Sequence, residues 1–186
     1  MNPIGVALVL WLVAGLDWGL RSSLELGTTG IVPSLLVVVL TFVCMRGPGK
    51  GACVCAVVVG LMVDLLRDVA LEGREETTVV VGPAVVGALF AAVFVVNLRG
   101  MLYQRNLAAL AVLSGVSAVM MHLVAAMLLV VRSKVDDVIA PGSQFGVAIG
   151  GAVYTAVAAI VLGPMLFAMA GLMGLGGGRR PRFRIS

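Results

Sequence analysis

A chain of 186 residues that is 61% hydrophobic and only 12% charged is not an ordinary soluble domain, where about a quarter of the residues carry charge. Its mean hydropathy is +1.14, and the apolar residues come in long runs rather than in the three-and-four rhythm of an amphipathic surface helix. The net charge of +4 is spread in small groups between those runs, which excludes a nucleic-acid-binding surface and leaves an all-α, polytopic membrane protein.

Six spans are predicted, each near the ~20 residues that a hydrocarbon core requires. The first, Ile4–Leu20, has no Lys or Arg before it, carries Asp17 and Trp18 near its end and lacks a cleavage site. It reads as a retained transmembrane helix rather than a secretory signal. The second, Ile31–Met45, is short, with Pro33 just inside its start.

The third, Gly51–Leu71, carries a ladder of small residues ending in acids: Ala52, Ala56, Gly60, Asp64 and Asp68. Four-residue spacing puts all five on one helical face. Small residues there let another backbone approach closely, and an acid near the end of a membrane helix needs a partner or water. This face is expected to pack against a partner protein or the first span, with Asp64 its most sensitive position. Arg67, three residues after Asp64, is placed for a local ion pair.

The fourth span, Val79–Leu98, has Pro83 just inside its start, and the fifth, Leu107–Val131, contains the chain's one histidine, His122. The sixth, Gln144–Met173, is overlong and contains Pro164, which predicts a kink there or an end soon after. Its Gly146, Gly150 and Gly151 form a second close-approach face, for packing inside the bundle or for contact with a second protein. The spans make one domain, residues 1–175, followed by a basic tail, 176–186.

Positive charge sets the orientation. Arg46 and Lys50, Arg99 and Arg105, and the tail residues Arg179, Arg180, Arg182 and Arg184 fall on one side of a six-span chain, with no acid among them. The opposite loops mix Arg21, Arg67, Arg74, Arg132 and Lys134 with seven acids. Both termini are therefore expected in the cytoplasm, where the basic tail either fixes topology or also attracts anionic headgroups.

Asp17, Asp64 and His122 are expected near the outer side, where they either line one polar pocket or are satisfied separately. Cys44, Cys53 and Cys55 fall at the reducing side, which argues against disulfides. With no second pair beside Cys53 and Cys55, packing is the reading and no metal or cofactor is expected. No Walker loop, HExxH or nucleophile elbow is present, and no carboxylate is placed to orient His122 beside Ser114 and Ser117, so catalysis is not expected. No span shows a repeated polar stripe to line a pore.

The order of these features resembles the MreD family of bacterial rod shape-determining membrane proteins. The likeness runs over about residues 31 to 131. It starts at Ile31-Val-Pro-Ser-Leu-Leu and continues through Gly60-Leu-Met-Val-Asp64-Leu-Leu, similar to that family's G-x-x-x-D-L stretch. Gly82-Pro and the basic turn Leu102-Tyr-Gln-Arg-Asn106 complete it. The loop Glu72 to Thr78 departs from the pattern, being more acidic and lacking the Leu-Gly that often follows the aspartate helix.

The resemblance implies a non-catalytic component of the cell-elongation complex in the bacterial plasma (inner) membrane. It would sit beside an MreC-like protein and work with MreB, RodA and a class B penicillin-binding protein in lateral peptidoglycan synthesis. The fold it implies looks like the substrate-binding subunits of energy-coupling-factor transporters, a compact six-helix bundle. The alternative function is such a vitamin-binding subunit. Against it, the outer loops carry no aromatic cluster, and Ala7 and Ala14 are seven apart rather than at docking-helix spacing. A third reading is a structural membrane protein of another pathway.

Overall fold

The structure is a computed structural model, described over residues 1–27, 30–66, 69–70, 77–78, 81–100, 106–133 and 142–175. The helices are α1 (Pro3–Gly19), the single turn α2 (Arg21–Leu24), α3 (Leu35–Arg46), α4 (Gly49–Leu66), α5 (Pro83–Leu98), α6 (Leu107–Ser133) and α7 (Gly142–Met169). Between α4 and α5, strands β1 (Val69–Ala70) and β2 (Thr77–Thr78) form a two-residue antiparallel ladder pairing Val69 with Thr78 and Ala70 with Thr77.

Each of the six expected spans overlaps one of the longer helices, but among the described residues only three helices meet the length of a spanning helix. Gly49–Leu66, Leu107–Val131 and Ala148–Met169 are long and apolar enough to cross a membrane. Pro3–Gly19, Leu35–Arg46 and Pro83–Leu98 are apolar and shorter. The shortening has local causes, clearest in α3. Proline biases the residue before it away from helical geometry, so the chain stays non-helical through Val32-Pro33 and the helix starts only after Ser34, its N-cap. Pro33 therefore precedes the cap instead of sitting in the first turn, whereas Pro83 does occupy the first turn of α5. The sixth span behaves as expected: α7 passes through Pro164 and ends at Met169.

Helix α3 is the hub. It packs against α1, α4, α5, α6 and α7, while α4 with α5, α5 with α6 and α6 with α7 pair along the chain. Its sequence LLVVVLTFVCM is apolar all round, which is the pattern of a helix buried on every side, and every residue from Leu35 to Met45 is buried. The surrounding helices are one-sided. In α1 the buried set is Gly5, Val6, Val9, Leu10 and Val13, at helical spacing, and the opposite face exposes Ile4, Leu8, Trp11 and Trp18. In α6 and α7 the outward rows include Val112, Val116 and Leu123, and Ile149, Val153 and Val157. Such apolar outer faces suit hydrocarbon rather than water.

The start of α1 meets the segment just after α7. The Asn2 N–H donates to the Met173 carbonyl at 2.8 Å, and the Asn2 side chain accepts from the Ile4 N–H at 3.2 Å, capping α1.

Candidate functional site: two acid-capped helix starts

Each helix begins with backbone N–H groups that have no partner within the helix. In hydrocarbon no water relieves them, so another group must. At one end of the bundle, side chains from neighbouring helices do so.

Asp64, near the end of α4, is buried, and its carboxylate straddles the first turn of α5. The Gly82 N–H donates to Oδ2 at 2.8 Å and the Ala84 N–H to Oδ1 at 3.0 Å. Pro83 between them has no N–H, so one carboxylate takes both donors flanking the proline. A carboxylate at a helix N-terminus also interacts favourably with the helix dipole. Gly82 has φ +123°, a region L side chains rarely adopt, and that conformation turns its N–H and that of Ala84 toward the same acid.

One turn before Asp64, Gly60 lets the two backbones approach. A Cβ there would lie 2.4 Å from the Val85 Cα and 2.8 Å from its nitrogen. Ala52, Ala56, Gly60 and Asp64 are all buried. The face expected to meet a partner or the first span is therefore enclosed within the bundle, and its Gly60–Asp64 end is closed by α5. Asp68, its last expected member, lies outside the described residues, as does Arg67.

Asp17 repeats the device on α3. Near the end of α1, its Oδ1 accepts from the Leu35 N–H at 3.2 Å. The adjacent Ser34 N–H donates to the Thr155 hydroxyl at 2.9 Å, and that hydroxyl donates to the Gly151 carbonyl at 2.7 Å. The start of α3 is thus held from α1 and α7 together. The non-helical approach to it lies on the glycines of α7: Gly150 faces the Ile31 side chain and Gly151 faces the Val32 carbonyl. These two serve packing inside the bundle, against a non-helical segment rather than another helix. Gly146 is exposed, with no described atom within 4 Å of where its Cβ would be.

Asp17 also lines a cleft of about 40 Å³ with Trp18, Arg21, Val32, Pro33, Ser34, Val63 and Leu66. That space suits one or two water molecules. Arg21 bridges the cleft, donating to the Leu66 carbonyl at the end of α4 at 2.6 Å. Of the three residues expected near one polar pocket, Asp17 alone lines this cleft. Asp64 is turned onto α5, and neither it nor the half-buried His122 lines this cleft.

At the opposite end the polarity reverses, as the helix dipole favours. Arg99, just past α5, donates to the carbonyls of Cys44 (3.3 Å) and Gly47, closing the end of α3. The Arg46 guanidinium stacks 5.2 Å from the Phe42 ring centre and 4.6 Å from that of Phe167, and the two rings meet edge to face at 5.4 Å. Lys50 is exposed. Arg105 and the tail residues Arg179, Arg180, Arg182 and Arg184 lie outside the described residues. Cys44 and Cys55 are buried and Cys53 is exposed, all three as free thiols. Among the described residues no three His, Cys, Asp or Glu side chains are grouped to hold a metal.

Sequence reasoning singled out Asp17 and Asp64 but not what they cap, because each bond joins residues 18 to 20 apart across a loop. It missed Thr155 as a cap, whose partner lies 121 residues away. Compared with protein-family models, curated proteins and solved structures, the chain gives no match.

Proposed function

We propose that this chain is a non-catalytic, six-span component of the bacterial cell-elongation complex, resembling the MreD family. It lies in the plasma membrane with both termini in the cytoplasm and supports lateral peptidoglycan synthesis through an MreC-like partner and the MreB, RodA and penicillin-binding-protein assembly.

The observation that carries this reading is the coupling of two motifs on which the resemblance rests. Gly60-x-x-x-Asp64-Leu and Gly82-Pro, 22 residues apart between Gly60 and Gly82, act as one interlocked unit joining α4 to α5. Charge distribution supports the orientation, since Arg46, Lys50 and Arg99 lie at the end opposite Asp17 and Asp64.

A mild-detergent pull-down of the tagged protein, with mass spectrometry of what is bound, tests the reading. Recovery of an MreC-like protein with wall synthases is expected. Recovery instead of paired ATPases with a coupling subunit would overturn it in favour of a vitamin-transporter component, and recovery of neither set would also count against it.

A further inference from the structure

We infer that four helices are tied end to end into a closed circuit, α1 to α4 to α5 to α3 and back to α1, which couples the cleft at one end of the bundle to the Arg99 cap at the other.

The circuit is built from bonds at helix ends. Arg21, just past α1, donates to the Leu66 carbonyl that ends α4. Asp64, in the last turn of α4, accepts from the Gly82 and Ala84 N–H groups where α5 begins. Arg99, just past α5, donates to the Cys44 and Gly47 carbonyls at the end of α3. The Leu35 N–H at the start of α3 donates to Asp17, four residues before Arg21, and that bond closes the circuit. Three ties lie at the Asp17 end and one at the Arg99 end, so the circuit runs the length of the bundle twice, along α5 and along α3. Thr155 fastens α7 to the start of α3 as a side branch.

Helix α3 is the member that carries a displacement from one end to the other. Its 12 residues, about 18 Å at 1.5 Å per residue, contain no glycine or proline to absorb one. From Leu35 to Met45 its side chains are apolar apart from Thr41, which bonds back to the Val37 carbonyl of its own helix at 2.9 Å. Apolar contacts are non-directional, so the hydrogen bonds at its two ends fix where it sits along its axis. Non-helical residues adjoin both ends, Val32 to Ser34 before it and Gly47 and Pro48 after it. Released at either end, α3 therefore moves as one body.

The cleft is where such a movement is felt. Asp17, Arg21 and Leu66, all members of the circuit, line it together with Ser34, the N-cap of α3. A shift of α3 that starts at Arg99 displaces Ser34 in the cleft wall. Coupling of this kind acts equally in both directions, so loosening the cleft end loosens the Arg99 end.

Thiol labelling reads both ends. The full-length protein in lipid nanodiscs is treated with a small membrane-permeant maleimide, and each modified cysteine is identified by peptide mass spectrometry. Arg21→Ala and Asp64→Asn each weaken a tie between helices other than α3. Each is expected to raise the labelling rate of buried Cys44 about two- to tenfold. Arg21→Lys, which keeps a donor for Leu66, is expected to stay near the wild-type rate. In the other direction, Ser34→Cys replaces an oxygen by sulfur at a buried position in the cleft wall, and its labelling is expected to rise by a similar factor when Arg99→Ala is added. Ser117→Cys places a control thiol in the core on α6, outside the circuit, where none of these substitutions is expected to change the rate.

Wild-type labelling of Cys44 in either Arg21→Ala or Asp64→Asn would overturn the inference, because each tie would then act only where it sits. An unchanged Ser34→Cys rate in Arg99→Ala would overturn it as well. An equal rise at Ser117→Cys would do the same, since the bundle would then be loosening as a whole rather than along the circuit.

Discussion

Asp64 shows why one buried carboxylate matters more than its charge. Its two acceptors satisfy two backbone donors that otherwise lie at a buried helix start. Removing one partner from a buried hydrogen bond costs about 1–3 kcal/mol, more than the bond adds net. Ser114 and Ser117 present the opposite case. Both hydroxyls are buried on α6 without a hydrogen-bond partner among the described residues, so truncation removes a polar atom and leaves no partner behind. Ser114→Ala and Ser117→Ala are expected to leave the thermal midpoint unchanged or to raise stability by up to about 1 kcal/mol. A marked drop in thermal unfolding of the purified protein would show that those hydroxyls are held by something.

At the scale of elements, the fold rests on pairs that fit only through small residues. A leucine at position 60 has no room against Val85, so Gly60→Leu is expected to separate α4 from α5 and to lower the yield of folded protein, and Gly60→Ala to do so more mildly. Size-exclusion profiles and thermal midpoints of both variants check this; a Gly60→Leu protein with wild-type behaviour would contradict it. The end of α3 depends on Arg99 in the same way. In the native protein a small membrane-permeant maleimide is expected to label Cys53 and spare buried Cys44 and Cys55. Arg99→Ala frees the carbonyls of Cys44 and Gly47, and labelling of Cys44 is expected to rise several-fold as that end frays. The position of every longer helix was legible from apolar run length. The start of α3 was not: a tertiary cap from Thr155 and Asp17 and the stiffness of Pro33 set it, and neither leaves a periodic trace in sequence.

At the scale of the molecule, a fully buried helix is tied at opposite ends by opposite charges, Asp17 with Thr155 at its start and Arg99 at its end. The sequence shows those charges and the ladder that leads to Asp64, but a small-residue face looks the same whether its partner is another protein or the chain's own next helix. Only the spatial return of Gly82-Pro to Asp64 separates the two. That distinction bears on function, because a substitution at Asp64 then acts on assembly through the fold and not at the contact itself. The decisive measurement is the thermal midpoint of the isolated protein, purified in detergent without any partner, for Asp64→Ala and Asp64→Asn against wild type. An internal cap predicts a loss of about 1–3 kcal/mol for Asp64→Ala and a smaller one for Asp64→Asn, which keeps one acceptor oxygen. Wild-type midpoints for both isolated variants, with binding of a partner nonetheless lost, would contradict the cap and return this face to an external contact.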